Sequence, residues 1–249
     1  MSPVLCLMFG ARVQLLDAGF CSFLPGGGMG LFVYTCSRTF LRCAFFVGGG
    51  LKVFGQENVP PEGALIVACN HTSHLDPMIL GAAFDRTLHF LARRTLFDVP
   101  GFAWLIRQNQ AFPLDRGGDS RDALRAFSAR LEGGNAVVMF PEGTRSTDGA
   151  LGEMKPGVGM LAVRNLTPVL PVYIWGSYLA WPRGRSFPRP HSLRVYIDKV
   201  ITPKPDKELR KTEQQRITAE VGASLAAMEK LAWRGEKNIP EAIRERLAL

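Results

Sequence analysis

Two polar clusters stand out in this chain of 249 residues, because each interrupts an apolar, β-branched run. The first is Asn70-His71-Thr72-Ser73-His74-Leu75-Asp76-Pro77, directly after Ala64 to Cys69. An alcohol proton is hard to remove at neutral pH, and a histidine, which titrates nearby, is the natural general base for it. A carboxylate close behind, as Asp76 is behind His71, can hold the other ring nitrogen, fix the tautomer and stabilise the imidazolium. A plainer reading stands beside this one, in which Asp76-Pro77 is a helix cap followed by a first-turn proline.

The second cluster, Pro141-Glu142-Gly143-Thr144-Arg145-Ser146, follows the apolar run Ala136 to Phe140. Gly143 permits close backbone approach, and Arg145 with Thr144 offers a planar fork and a hydroxyl suited to a phosphate. The plainer alternative is a surface turn with an arginine to carboxylate pair. Strand ends are where open α/β sheets build their sites, so the placement of both clusters favours chemistry.

Taken together, H-x4-D at His71 to Asp76 and F-P-E-G-T-R-S at Phe140 to Ser146 resemble the glycerolipid acyltransferase family. More narrowly the chain is similar to the 1-acyl-glycerol-3-phosphate acyltransferases. Ala111-Phe112-Pro113-Leu114-Asp115-Arg116 looks like that family's phosphate-binding arginine block, and Val169 to Ile174 like its apolar fourth block. Met154-Lys155-Pro156-Gly157 is similar to the lysine-glycine step that follows the third block. The order matches, from about Phe54 to Ile174. Pro113, Leu114 and Asp115 depart from the usual second block, which bears on the acceptor more than on the chemistry.

The resemblance implies a fatty acyl group moved from acyl-CoA or acyl-acyl carrier protein, as co-substrate and without a bound cofactor, to the free hydroxyl of lysophosphatidate. The product is phosphatidic acid. His71 and Asp76 are then the catalytic pair, with no covalent enzyme intermediate, so neither Cys69 nor Ser73 is needed as a nucleophile. Arg116, Glu142, Gly143, Thr144, Arg145 and Lys155 are the expected substrate-binding residues. The oxyanion requires donors, from the helix start after Asp76 or from the Gly143 turn. Glycerol-3-phosphate, another lysolipid or a lipid-linked amine headgroup stand as alternative acceptors.

His71, His74 and Asp76 also admit a metal-hydrolase reading. The histidine spacing is wrong for an H-x-H-x-D-H site, Pro77 stands in the last position, and only His89 and His191 remain. No metal is therefore expected.

The elements that must hold these residues are legible in the remaining pattern. Runs at Leu51 to Phe54, Ala64 to Cys69, Thr87 to Ala92, Ala136 to Phe140, Val169 to Ile174 and Leu193 to Val200 read as strands. Helical patterns lie between them at Pro77 to Ala83, Gly101 to Gln108, Ser120 to Leu131 and Gly157 to Asn165. An amphipathic helix is expected from about Lys207 to Trp233, and a short one from Pro240. The reading is one α/β domain over 51–249, with a central mixed sheet flanked by helices.

Residues 1–50 read as a separate apolar segment, charged only at Arg12, Asp17, Arg38 and Arg42. The uncharged run Ala18 to Ser37 contains Pro25, Gly26, Gly27, Gly28 and Gly30, which would break a spanning helix. Gly30 to Val47 reads as a helix with two equal interpretations. In one it lies at a membrane interface with Arg38 and Arg42 facing phosphate headgroups; in the other it packs on its own domain. Because Met29 follows the glycine run, a start there is also considered.

Lys plus Arg number 30 against 22 acidic residues, a net charge of +8, which favours an anionic partner. Five cysteines without a C-x-x-C pair argue for a reducing, cytosol-facing location. Trp181 to Lys211 carries nine basic and three acidic residues, beginning Trp181-Pro182-Arg183-Gly184-Arg185. Such a loop suits an anionic membrane surface or an acidic acyl carrier protein, or is simply solvated. No nucleic-acid-binding signature appears, so nucleic acid is not an expected partner. A non-catalytic membrane-surface protein is the remaining alternative, and membrane association at the cytoplasmic face is the expected localisation.

Overall fold

A computed structural model describes residues 28–114, 120–205, 208–236 and 239–247. Its elements run in chain order α1 (Gly28–Val47), β1 (Leu51–Phe54), β2 (Leu65–Cys69), α2 (Asp76–Ala83), β3 (Leu88–Arg93), α3 (Pro100–Gln108) and β4 (Ala111–Leu114). There follow α4 (Ser120–Glu132), β5 (Ala136–Met139), α5 (Gly157–Asn165), β6 (Val169–Trp175), α6 (Ser177–Ala180), β7 (Leu193–Ile197), α7 (Arg210–Trp233) and α8 (Glu241–Leu247). Between β3 and α3 the chain makes a 3-10 turn over Arg94–Phe97.

The strands form one sheet in the order β1-β7-β6-β2-β5-β3-β4. From β6 to β4 every neighbouring pair is parallel, so the carboxyl ends of β6, β2, β5, β3 and β4 emerge along one edge. β7 pairs antiparallel with β6, and β1 runs alongside β7. The sheet is therefore mixed, with a parallel block carrying the site.

Alternation along the strands divides the core into two layers. Ile66, Ala68 and Val137 point to the side covered by α4, α5 and α7, where Phe127, Leu161, Ile217, Val221 and Leu225 are buried. Leu65, Val67, Cys69 and Val138 point to the opposite side, where Ile79, Leu80 and Phe84 close the layer and Phe45 of α1 packs on it. Both faces of β2 and β6 are buried, which explains their unbroken apolar sequences.

β4 is an edge strand, where Pro113 is tolerated because one row of backbone donors has no strand to meet. In the sequence it is legible only as a motif block, being short and interrupted by that proline.

α1 contradicts the headgroup-facing expectation for Arg38 and Arg42. Arg42 Nε donates to Ala82 O at 2.8 Å and its guanidinium pairs with Asp85, while Arg38 donates to the Asp85 carbonyl. Tyr34 on the same side is buried, its hydroxyl accepting from the Leu88 amide at 3.2 Å. The polar side of α1 thus faces the protein, and its outer side carries exposed Phe32, Cys36, Phe40, Cys43 and Val47. No described helix is long and apolar enough to cross a membrane. The expectations for residues 1–27, including an alternative start, lie outside the described residues.

Candidate active site

At the end of β2 the chain turns through Asn70, whose side chain bridges to β6 by donating to Ile174 O at 3.1 Å and accepting from Ile174 N at 2.7 Å. This clamp fixes where the next residue leaves the sheet. His71 Nδ1 then lies 2.9 Å from Asp76 Oδ2. The His71 side chain is 19% exposed and the Asp76 side chain fully buried, so the ring has one edge held and the other open. Its face stacks on Phe140, with ring centroids 3.9 Å apart.

Asp76 is no simple cap. It is the first residue of α2, and its Oδ2 accepts from the amides of Thr72 and Ser73, both at 2.8 Å, which precede the helix. One carboxylate oxygen therefore organises the whole turn from His71 to Asp76 and orients the imidazole. Thr72 and Ser73 are tied in turn to the segment after β6: Thr72 Oγ1 meets Ser177 Oγ at 2.9 Å, and Ser73 Oγ donates to Trp181 O at 2.7 Å.

Glu142, on the turn after β5, is buried, and both its oxygens are engaged. Oε1 accepts from the His71 amide at 2.8 Å and Oε2 from the Gly152 amide at 2.9 Å. Burial raises its carboxyl above the usual carboxylate range, and these two amides pull it back. The structure therefore places Glu142 as a brace between loops. Gly143 adopts a left-handed φ of 72°, and a Cβ there would meet Lys155 Nζ at 2.8 Å. Gly143, Thr144 and Lys155 are exposed on that turn.

Arg145 stands among like charges. Partial burial and then Arg183 and Arg93 lower its affinity for its proton. Its Nη1 is buried and meets no acceptor among the described residues. A cluster of arginines with an unsatisfied guanidinium edge is a ready anion site, because the fork matches a phosphate. Arg93 was not singled out from sequence, although an arginine ending a strand of the parallel block was the available signal. Arg183 was visible only as part of a basic loop. Arg116 lies outside the described residues.

His74 does not converge with His71 and Asp76. Its ring lies against Trp181, centroids 5.4 Å apart, and partial burial followed by Arg145, His71 and Arg93 lowers its basicity. Among the described residues no group of three His, Cys, Asp or Glu side chains is placed to hold a metal ion. Cys69 is buried, and burial pushes its thiol well above the ordinary range, which leaves it a poor nucleophile.

A histidine oriented by a buried carboxylate, next to arginines on the carboxyl edge of a parallel sheet, is an arrangement able to take a proton from a hydroxyl and to hold an anion beside it. The family model described as Acyltransferase matches residues 50–175, and the chain belongs to that family. Among solved structures it is similar to the 1-acyl-sn-glycerophosphate (LPA) acyltransferase PlsC from Thermotoga maritima, at 31% identity and TM-score 0.62, over 78% of this chain and 80% of that one. It is 26% identical to a 1-acyl-sn-glycerol-3-phosphate acyltransferase from Bacillus subtilis, over 58% of this chain and 72% of the relative. It is also 31% identical to the chloroplastic LPAT1 of Arabidopsis thaliana, over 61% of this chain and 43% of the relative. The match thus spans less than half of that chloroplastic relative.

Proposed function

We propose that this protein transfers a fatty acyl group from acyl-CoA or acyl-acyl carrier protein to the free hydroxyl of 1-acyl-glycerol-3-phosphate, giving phosphatidic acid, at the cytoplasmic face of a membrane. The 2.9 Å contact between His71 Nδ1 and Asp76 Oδ2 carries this reading. With Nδ1–H donated to Asp76, the other ring nitrogen is unprotonated and accepts the hydroxyl proton as the oxygen attacks the thioester carbonyl. The tetrahedral intermediate collapses with expulsion of the thiolate, which takes the proton back from the imidazolium. Asp76 stabilises that cation throughout, and the acceptor alcohol occupies the role a serine has in a triad.

Arg145, with Arg93 and Arg183 beside it, grips the acceptor phosphate, and Lys155 and Arg116 are further contacts of the same kind. Glu142 acts by ordering the turn, with Gly143 and Thr144 forming its exposed rim.

The outer side of α1 supports the membrane reading. A helix that turns its arginines inward and five apolar or thiol side chains outward is built for an apolar surrounding. The acidic carrier protein remains a second donor, suited to the basic segment after Trp181.

The deciding experiment is transfer of a labelled acyl group from each donor to lysophosphatidate, glycerol-3-phosphate, other lysophospholipids or no acceptor, with His71→Ala in parallel. Preference for lysophosphatidate that disappears in the variant is the expected result. Transfer by His71→Ala at the wild-type rate excludes this mechanism.

A further inference from the structure

The apolar side chains exposed on this molecule are concentrated in two places. Of seventeen large hydrophobic residues exposed among those described, five are on α1 (Leu31, Phe32, Phe40, Phe46, Val47) and five follow β3 (Leu96, Val99, Phe102, Trp104, Leu105). The two helices are neighbours: Asn109, just after α3, donates to Ser37 Oγ at 3.2 Å, and a Cβ on Gly30 would meet the Gln108 side chain at 3.2 Å. On α3, Phe102, Trp104 and Leu105 all lie on the half of the helix opposite buried Ala103. An apolar surface of this extent on a folded protein marks an interaction site.

The stretch is also basic. From Arg93 to Gln108 there are three arginines and one acid, Asp98. An exposed indole one turn from Arg107 on a short amphipathic helix matches the chemistry of a headgroup layer over acyl chains. The stretch is continuous with the site, because Arg93 is the last residue of β3, β3 pairs with β5, which leads into the turn bearing Arg145, and the 3-10 turn begins at Arg94.

We propose that Arg94–Gln108, the 3-10 turn and α3, is a second membrane-contacting element, which sits on an anionic phospholipid bilayer and delivers the lysolipid acceptor from it to the arginine cluster. The acceptor's phosphate passes from the headgroup plane to Arg93 and Arg145 while its acyl chain stays in the bilayer. This rests on the function proposed above and adds how the acceptor arrives.

The test compares wild type with the triple variant Phe102→Ser, Trp104→Ser, Leu105→Ser, all at exposed positions. Acceptor is presented either in phosphatidylcholine vesicles containing one fifth phosphatidylglycerol or as a dispersed short-chain lysophosphatidate. The expected result is at least a tenfold fall in kcat/KM on vesicles, with the dispersed acceptor used within twofold of wild type. An equal loss with both acceptors, or no loss with either, overturns the proposal. Independently of turnover, bilayers of brominated lipid should quench wild-type tryptophan emission, and Trp104→Phe should remove that quenching. Unquenched wild type, or a dimer in solution whose interface covers α3, also overturns it. If wild type acylates no acceptor, the proposed function fails, and the quenching arm still decides the membrane contact.

Discussion

The backbone amide of His71 donates to Glu142 Oε1 at 2.8 Å, so two turns seventy-one positions apart in sequence form one rigid unit. The return contact, from the Ser146 amide to the His71 carbonyl at 2.8 Å, closes the unit from the other side. The imidazole and the turn bearing Arg145 are therefore tied together, as the proposed attack by a phosphate-anchored alcohol requires.

Replacing His71 by Ala removes the proposed base and should lower kcat by about 100- to 10,000-fold. The ring is partly exposed and its neighbours keep their backbone partners, so circular dichroism and the unfolding midpoint should stay close to wild type. A steady-state assay beside a melting curve separates loss of chemistry from loss of fold.

Asp76 carries two loads that different substitutions separate. Asp76→Asn leaves an oxygen for the Thr72 and Ser73 amides but cannot stabilise an imidazolium, and its expected effect is mainly on kcat. Asp76→Ala strands both amides in a buried turn and should in addition cost about 1–3 kcal/mol of stability. Equal unfolding free energies for the two variants in denaturant titrations would contradict this assignment.

Arg145→Ala should raise the acceptor KM about tenfold or more while changing the donor KM little, since a phosphate fork is lost and the base is intact. Arg145→Lys restores the charge without the planar fork and should recover only part of the affinity. Titrating each substrate at saturating levels of the other reads the two constants apart.

Gly159 on α5 tests the packing beneath the site. An added Cβ would come within 2.1 Å of Gln214 O and 2.6 Å of Thr218 Oγ1 on α7, both too close for any real contact. Gly159→Ala is expected to destabilise by about 1–3 kcal/mol or more, as helix overpacking does. The urea midpoint measures it.

Glu213 on α7 is held at a pKa of about 2 by its hydrogen bonds to Arg216 and the Lys204 amide. A folded-state pKa below the unfolded value stabilises above about pH 4.5 and loses that contribution as pH falls toward 2. The pair opens to solvent through the Arg216 side, so its worth is on the order of 1 kcal/mol. The difference in unfolding free energy between Glu213→Gln and wild type should be full at pH 7, smaller at pH 3 and gone only as pH falls to about 2 or below.

Much of this was legible in sequence because the relevant physics is local. Gly157–Asn165 is a helix with the expected bounds, and the runs around Leu65 and Val169 are strands because both their faces are buried. His71 and Asp76 could be paired in advance because a turn this short brings them within reach. Arg93 could not, since its nearness to Arg145 depends on β3 lying beside β5, a matter of strand order. Nor could the direction of Arg38 and Arg42, which is set by a carboxylate and carbonyls forty or more residues away.

The pairing of β1 with β7 joins Leu51 to Leu193, with nearly the whole of the sheet encoded between them. During synthesis at about 5–20 residues per second, β1 waits roughly 7–28 s for β7, its one strand partner among the described residues, to be made. Throughout that interval the nascent chain presents an unpaired strand right behind α1 and its apolar outer side. Whatever α1 meets in that interval it therefore meets while β1 is still unpaired.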